Sequence, residues 1–228
     1  MPSLAIFFPY FGAKYMRAPH YPAPTRDLII EPFAGAAGYS VRHYEHDVLL
    51  IDASEVICGV WDFLIRASGS EILELPLLSP GDDVQALVIP QEAKWLLGFW
   101  CNAGSATPKR RLGRASNRRS GAWGEHVRGR LAQQVDRIRH WRVRCGDYST
   151  APDVPATWFV DPTYEHQGRH YPHHVTDFAK LASWCHSRRG QVLVCESEGA
   201  TWLPFEPVTT VVGATHRRTT EVLWRRDA

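Results

Sequence analysis

The chain has 228 residues, of which 44% are hydrophobic and 22% are charged. This balance is typical of a folded protein with one well-filled α/β domain or two small ones, and it excludes disorder as the main state. No stretch approaches eighteen consecutive apolar residues, so we expect no membrane span and a cytoplasmic location. The five cysteines are far apart and form no C-x-x-C pair, which argues against a disulfide framework and a cysteine zinc site.

The net charge of +2 is unevenly distributed along the chain. Residues 109–144 contain 12 Lys or Arg and 2 Asp or Glu, whereas residues 1–108 contain 6 and 12, and residues 145–228 contain 8 and 10. One segment of 36 residues therefore carries +10, and the remainder carries −8. Because solvated helix faces usually alternate their signs, this run indicates a polyanion partner.

The first elements alternate between strand and helix. An apolar run at residues 28–30 is followed by an acid and then by small residues at 34–38, which predicts a buried strand, a tight turn and a helix start. Residues 48–51 predict a second strand, and residues 54–64 predict a helix that begins at a serine. This order is the typical opening of a parallel sheet.

Residues 71–144 interrupt this alternation and look like an insertion. They contain several prolines, an aromatic helix and the basic segment. The aromatic side chains form either a small hydrophobic core or a surface for stacking on bases. The residues concerned are Trp95, Phe99, Trp100 and Trp123.

Regular alternation returns after the insertion, with three strands, one helix and a terminal antiparallel hairpin. The strands are predicted at residues 143–147, 157–161 and 191–195, the helix at 175–187, and the hairpin at 208–212 with 221–224.

Four predicted strands end in an acid, namely Glu31, Asp52, Asp147 and Asp161. Ligands of open α/β sheets bind outside the carboxyl ends of the strands. The small-residue loop at 33–38 would let a ligand approach the backbone, and Asp52 could accept two hydrogen bonds from ribose hydroxyls. This pattern predicts an adenosine-containing cofactor. A purely structural turn is the alternative for the loop taken alone.

The sharpest motif is Asp161-Pro162-Thr163-Tyr164, directly after a predicted strand. The Asp161 carboxylate and the Pro162 carbonyl can together accept both hydrogens of an exocyclic amine, and Tyr164 offers a face on which a purine can stack. Such contacts would orient the lone pair of the amine toward a methyl donor. Catalysis would then consist mainly of positioning, without a strong general base.

The ordered motifs resemble those of the S-adenosylmethionine-dependent adenine-N6 DNA methyltransferases of the Dam type, including their phage-encoded relatives. Residues 8–14 are similar to the Pro-x-x-Gly-x-Lys element of that family, and residues 31–38 to its Glu-Pro-Phe-x-Gly-x-Gly loop. Residues 146–148 resemble the element that meets the adenine of the cofactor, and residues 161–164 match the catalytic Asp-Pro-Pro-Tyr. Residues 219–224 look like the final strand of the family.

Two positions depart from the pattern of the family. Thr163 replaces the second proline of the catalytic tetrad. Ala37 stands at the second glycine of the cofactor loop, and Gly38 follows one residue later.

The resemblance implies a Rossmann-like methyltransferase sheet, mostly parallel with a C-terminal antiparallel hairpin, and S-adenosylmethionine as cofactor. Residues 1–70 and 141–228 would form the catalytic domain, and residues 71–140 an inserted target-recognition domain that binds double-stranded DNA, which is the order of the α group. The implied catalytic residues are Asp161, Pro162 and Tyr164. The implied cofactor-binding residues are Tyr10, Gly12, Lys14, Glu31, Phe33, Ala34, Gly35, Ala36, Asp52, Asp147, Tyr148 and Asp161.

The predicted DNA contacts lie in two basic segments. The first is interleaved with small residues, as in a loop that orders on phosphate, and the second follows the tetrad, where the family has a loop over the flipped base. The residues are Lys109, Arg110, Arg111, Arg114, Arg118 and Arg119 in the first segment and Arg169 and His170 in the second. Pairing of the arginines with the acids at 71–74 and 82–83 is the alternative.

Other activities remain as alternatives. Methylation of cytosine N4 uses the same fold, although Asp161 at the first position of the tetrad favours adenine in this family. A DNA-binding relative with a weak cofactor site is the non-enzymatic alternative. A nicotinamide-dependent oxidoreductase would need a G-x-G-x-x-G that is absent, and Cys101 and Cys195 lack the preceding proline of a cytosine-C5 nucleophile. The cluster of His166, His170, His173 and His174 contains a glycine and a proline, so we expect a loop and no metal site.

Overall fold

The computed structural model describes residues 4–102, 104–113, 122–166, 173–212 and 218–227. These residues form one seven-stranded sheet with α-helices around it. The strands are β1 Leu28–Glu31, β2 Asp47–Asp52, β3 Arg142–Cys145, β4 Ala156–Val160, β5 Gly190–Ser197, β6 Glu206–Val212 and β7 Arg218–Asp227. The α-helices are α1 Gly38–Arg42, α2 Glu55–Arg66, α3 Gly69–Glu74, α4 Gln91–Trp100, α5 Glu125–Gln134 and α6 Phe178–Ser187.

The order of the strands is β3-β2-β1-β4-β5-β7-β6. Strands β1 to β5 pair in parallel, and β7 pairs antiparallel with both β5 and β6. The mostly parallel sheet with a C-terminal antiparallel pair, expected from the sequence, is therefore confirmed. The first five strands follow the doubly wound order, whose direction reverses between β1 and β4. This switch point is where such sheets bind ligands.

Burial along the strands follows their place in the sheet. All five residues of the central strand β4 are buried, as expected where helices cover both faces of a parallel sheet. The edge strand β3 instead exposes Arg142 and Arg144, and charged side chains of this kind discourage pairing with another chain. The other edge, β6, carries Pro207 next to an irregularity in its pairing with β7.

The described part of residues 71–140 shares its apolar core with the sheet. Phe8 stacks on Phe99 at 5.1 Å, and the indole nitrogen of Trp100 donates to the carbonyl of Phe7 at 3.0 Å. Trp123 is 2% exposed and donates to a backbone carbonyl. The interpretation of these three aromatic side chains as a hydrophobic core is confirmed. Whether the segment acts as a target-recognition domain stays a prediction.

Two predicted boundaries shift for local reasons. The helix expected from residue 175 begins at Phe178, because the Asp177 side chain caps it by accepting the backbone N–H of Lys180 at 2.8 Å. The strand expected at 143–147 ends at Cys145, because Gly146 takes a φ of +159° and turns the chain. In the described part of the chain, no helix is both long and apolar enough to cross a membrane.

Candidate functional site

A cavity of about 1010 Å³ opens at the carboxyl ends of β1, β2 and β4, next to the switch point of the sheet. Its lining contains every residue that the sequence predicted for catalysis or for cofactor binding. The structure thus brings together segments that are up to 154 positions apart in the chain, from Tyr10 to Tyr164. Their individual roles stay predictions.

Residues 33–38 form a tight loop against the N-terminal segment. Gly35 has a φ of +45°, and a Cβ on it would lie 3.2 Å from the Tyr10 ring. Ala37 takes the left-handed conformation with φ 48° and ψ 45°, which L-residues with a side chain rarely adopt. A Cβ on Gly38 would lie 2.4 Å from the backbone nitrogen of Tyr15. Gly38 therefore allows the close approach, and Ala37 makes the left-handed turn.

The Asp52 carboxylate holds the same loop. One oxygen accepts the backbone N–H of Gly35 at 3.0 Å, and the other accepts that of Ser54 at 2.9 Å. Burial raises the pKa of Asp52, although these two N–H groups and His173 act in the opposite direction. Each oxygen keeps a second lone pair, so the predicted acceptance of two ribose hydroxyls remains chemically possible.

An aromatic wall stands beside Asp52. The rings of Phe33 and Tyr148 stack at 5.4 Å with an angle of 29° between their planes, and Trp184 meets Tyr148 edge-on at 5.2 Å. Asp147 caps the short turn after β3 by accepting the backbone N–H of Ser149 at 2.9 Å. Phe33 and Tyr148 thus give the cavity a flat aromatic surface.

A buried ion pair occupies the other end of the cavity. The Lys14 ammonium lies 2.7 Å and 2.8 Å from the two carboxylate oxygens of Asp161, and it also donates to the carbonyl of Gly12 at 3.0 Å. Burial raises the pKa of Asp161 to about 6, against the effect of Lys14 and with a further increase from Glu221. Burial lowers the pKa of Lys14, but Asp161 and Glu221 outweigh it and the net shift is upward. The attraction between the two groups thus favours the charged form of each.

Tyr164 is held on two sides. The Lys14 ammonium lies over its ring at 4.8 Å from the centroid, and its hydroxyl donates to Glu221 at 2.5 Å. The neighbouring Thr163, which replaces a proline of the family motif, accepts the backbone N–H of Val175 at 2.8 Å through its side-chain oxygen. This bond ties the tetrad to the segment before α6 and supplies a constraint of its own at this turn.

Three residues around Tyr164 were not predicted from the sequence. The Glu221 carboxylate accepts hydrogen bonds from Arg17 at 2.6 Å and from the Tyr21 hydroxyl at 2.9 Å. Glu221 is 2% exposed and lies in the interior strand β7. An acid directly before the apolar run of residues 222–224 was the available signal, because a carboxylate that is buried with such a run requires hydrogen-bond donors.

The three predicted DNA-binding residues that the structure describes, Lys109, Arg110 and Arg111, are not part of the cavity lining. Arg114, Arg118, Arg119, Arg169 and His170 lie outside the described residues. Both oxygens of Asp83 accept hydrogen bonds from Arg110, at 2.9 Å and 2.8 Å, and Arg111 lies 4.0 Å from the same carboxylate. The alternative in which the arginines pair with the acids at 82–83 is thus found for Arg110. The segment does begin next to the cavity, because Thr107 and Pro108 belong to its lining and Lys109 follows.

Several other arginines of residues 109–144 bind the protein itself. Arg139 donates to the carbonyl of Ile65 at 3.0 Å, which satisfies an open acceptor at the end of α2. Arg128 donates to a backbone carbonyl at 3.0 Å, Arg137 to the Tyr44 hydroxyl at 2.9 Å, and Arg144 to a carbonyl at 2.7 Å. Part of the positive charge of this segment therefore has a structural use, which weakens the inference of a polyanion partner from charge alone.

Two of the predicted loop histidines, His173 and His174, line the cavity. Among the described residues, no group of three or more His, Cys, Asp or Glu side chains is placed to hold a metal ion. Neither a scan against protein-family models nor a search of curated proteins finds a match for this chain.

Proposed function

We propose that this chain transfers a methyl group from S-adenosylmethionine to the N6 amine of adenine in double-stranded DNA. The observation that carries the proposal is the meeting of five separate motif segments around one cavity, with Asp161, Pro162 and Tyr164 at one end and Asp52 and an aromatic wall at the other. The geometry of the cavity supports two neighbouring ligands, a cofactor and a base.

The charge of the lining favours a cationic cofactor. Six acids and three basic residues line the cavity, although three of the acids are exposed and burial raises the pKa of Glu31 to about 8, and opposite charges attract each other. S-adenosylmethionine carries a sulfonium and an ammonium group, whereas a nicotinamide dinucleotide would bring two phosphates. The acids of the lining are Glu31, Asp52, Glu55, Asp147, Asp161 and Asp177, and the basic residues are Lys14, Arg17 and Lys180.

The size of the cavity also fits two ligands. Pockets for a single drug-sized ligand span about 300–1,000 Å³, so this cavity lies at the upper end of that range. A base inside a duplex could not reach Asp161, and the target nucleotide would have to be flipped out of the helix.

The residues at the Asp161 end suit the positioning of an amine. The carboxylate of Asp161 accepts one N–H and the Pro162 carbonyl accepts the other, while the Tyr164 ring stacks on the base. Lys14 lowers the pKa of Asp161 and so favours the carboxylate, and each carboxylate oxygen retains a lone pair for the substrate. S-adenosylmethionine, when bound, supplies the electrophilic methyl group and leaves as the neutral thioether. The methylated amine is then cationic and strongly acidic, so it releases its surplus proton to water and needs no strong base.

The exposed arginines that follow the lining residues Thr107 and Pro108 support DNA as the partner. The side chains of Arg110 and Arg111 are 68% and 67% exposed, and an exposed ion pair such as that with Asp83 contributes little and yields readily to phosphate.

The test is to express the chain in a methylation-deficient host and to sequence the host DNA with modification-sensitive reads. We expect N6-methyladenine in one short context. The control is Asp161→Ala, which removes both carboxylate oxygens and the pair with Lys14. We expect at least about a hundredfold less methylation from this variant, because a positioning hydrogen bond in a closed site is lost. Its affinity for S-adenosylmethionine in calorimetry should stay within a few-fold of that of the unaltered chain.

Other outcomes would contradict the proposal in different ways. N4-methylcytosine in the host DNA would identify the cytosine alternative. DNA binding without any modification, and without binding of S-adenosylmethionine, would identify a non-enzymatic DNA-binding protein.

A further inference from the structure

The buried carboxylate of Glu221 connects the last strand of the sheet to the catalytic tetrad. We propose that Glu221 is a positioning residue of the methyl-transfer site, which holds the Tyr164 ring in place for stacking on the target base. The inference rests on the proposed function, because it concerns the same site and the same reaction.

The contacts of Glu221 come from three separate parts of the chain. One oxygen accepts the hydroxyls of both Tyr21 and Tyr164, at 2.9 Å and 2.5 Å, and the other accepts Arg17 at 2.6 Å. In the sheet, Glu221 lies opposite Ser197 of β5, in the interior of the antiparallel part. The pairing of β7 with β5 and β6 therefore fixes the backbone of Glu221, and three donors fix its carboxylate.

Stability alone does not account for a charged residue at this position. A buried ion pair loses so much hydration that an apolar residue of similar size is often as stable or more stable. Glu221 is followed in β7 by the buried apolar residues Val222 and Leu223, both 5% exposed, and is preceded by the half-buried Thr220. Since the side chain of residue 221 is itself 2% exposed, an apolar side chain would suit this position, whereas the carboxylate gives Tyr164 a fixed acceptor.

The hydrogen bond from the Tyr164 hydroxyl to Glu221, which we call the tether, restricts the far end of the ring. The backbone side is held by the bond between Thr163 and Val175, and the ring face is covered by Lys14 at 4.8 Å. Because the hydroxyl is committed to Glu221, Tyr164 presents its ring and not an acidic or basic group to the substrate. A misplacement of about 1 Å at such a position can cost up to a hundredfold in rate.

Glu221 also acts on Asp161 through its charge. Together with burial it raises the pKa of Asp161, whereas Lys14 and Arg17 lower it. Removal of the charge of Glu221 should therefore shift the protonation of Asp161 to lower pH. The other ionisable groups that interact with Asp161 are Glu31, Tyr21, Tyr164 and Cys195.

The experiment compares Glu221→Gln, Tyr164→Phe and the double variant in steady-state methylation of a duplex. Glu221→Gln keeps the shape but loses the ion pair, and Tyr164→Phe keeps the ring but loses the hydroxyl. We expect kcat to fall roughly tenfold to a hundredfold in Tyr164→Phe. Glu221→Gln should lower kcat as well, because its amide nitrogen must face either Arg17 or the two phenols and its neutral oxygen is a weaker acceptor. The double variant should lose no more than Tyr164→Phe, since both changes act on the same hydrogen bond. The dissociation constant for S-adenosylmethionine should change by less than about threefold, and the acid limb of kcat/KM should move to lower pH in Glu221→Gln.

Tyr21→Phe is the matched control, because it removes another phenol from the same oxygen of Glu221 but does not line the cavity. We expect it to keep kcat within about threefold of the unaltered chain. If Glu221→Gln does not fold, a fall in kcat for Tyr164→Phe with an unchanged melting temperature supports the tether.

Three results would overturn the inference. These are multiplicative losses in the double variant, a change of melting temperature without a change in kcat or in the pH profile, and an equal loss in Tyr21→Phe and Tyr164→Phe. If the unaltered chain methylates DNA and Glu221→Gln is equally active, only the role of Glu221 fails. If the unaltered chain methylates no DNA, the proposed function fails, and the role of Glu221 fails with it.

Discussion

Asp52 shows how one acid can serve both the fold and a ligand. Its two oxygens accept the backbone N–H groups of Gly35 and Ser54, which places the loop after β1 beside the end of β2. Each oxygen has a second lone pair that can accept another hydrogen bond. In the proposed function, the ribose hydroxyls of the cofactor would donate these hydrogen bonds. The same carboxylate would thus shape the loop and bind the cofactor.

We expect Asp52→Asn to weaken the binding of S-adenosylmethionine by roughly tenfold to a hundredfold. The amide nitrogen of asparagine is a donor, so it must face either a backbone N–H or a ribose hydroxyl, and a hydrogen bond to a charged group contributes about 1.5–3 kcal/mol. Calorimetric titration with the cofactor measures the change. Glu55→Gln is the control, because Glu55 lines the same cavity but is exposed. An unchanged dissociation constant in Asp52→Asn would mean that the ribose binds elsewhere.

At the scale of single elements, the loop at residues 33–38 has one strained position. Ala37 and Ala36 are both buried, at 1% and 4% exposure, but Ala37 alone among the described non-glycine residues has a positive φ. The left-handed conformation costs an L-residue about 1–2 kcal/mol. Glycine avoids this cost, but it loses about 0.5–1 kcal/mol through its greater freedom when unfolded and about 0.8 kcal/mol through the missing methyl group.

We therefore expect Ala37→Gly to leave the free energy of unfolding within about 1 kcal/mol of the unaltered chain, because the gain and the losses nearly cancel. Ala36→Gly has the same losses without the gain, and it should be less stable than Ala37→Gly by about 1–2 kcal/mol. Urea unfolding of both variants measures the difference. Equal destabilisation would show that residue 37 is not left-handed.

The strands were largely predictable from the sequence, because a short apolar run that is followed by an acid or a turn residue is typical of a buried strand. The strands that end at Glu31 and Asp52, the strand directly before Asp161 and the final hairpin agree with the structure. Contacts between distant segments were not predictable. Lys14 and Asp161 are 147 positions apart, and neither segment contains a pattern that predicts their ion pair. The contacts of Arg128, Arg137, Arg139 and Arg144 within the protein were not predictable for the same reason, since charge composition does not reveal which acceptor a guanidinium will bind.

At the scale of the whole molecule, burial disfavours the charged form of several acids, namely Glu31, Asp52 and Asp161. Burial raises the pKa of Glu31 to about 8, with a further increase from Asp161 and opposing effects from Ser40 and Lys14. Glu31 is 2% exposed at the end of the interior strand β1. A group whose pKa is raised on folding contributes stability that is fully present below its unfolded value of 4.5 and is lost as the pH rises through about 8.

We expect the unaltered chain without ligand to lose about 1 kcal/mol of unfolding free energy between pH 7 and pH 8 through Glu31, because the folded state then gives up a proton that the unfolded state has already lost. His43, whose pKa burial lowers from 6.5 to about 4, contributes its pH dependence below this window. In Glu31→Gln the loss over the same window should fall by more than half, since the amide does not titrate. Glu55→Gln should keep the slope of the unaltered chain. Urea unfolding at pH 7.0, 7.5 and 8.0 measures the three slopes, and identical slopes for Glu31→Gln and Glu55→Gln would show that Glu31 is already ionised in the folded state at pH 7.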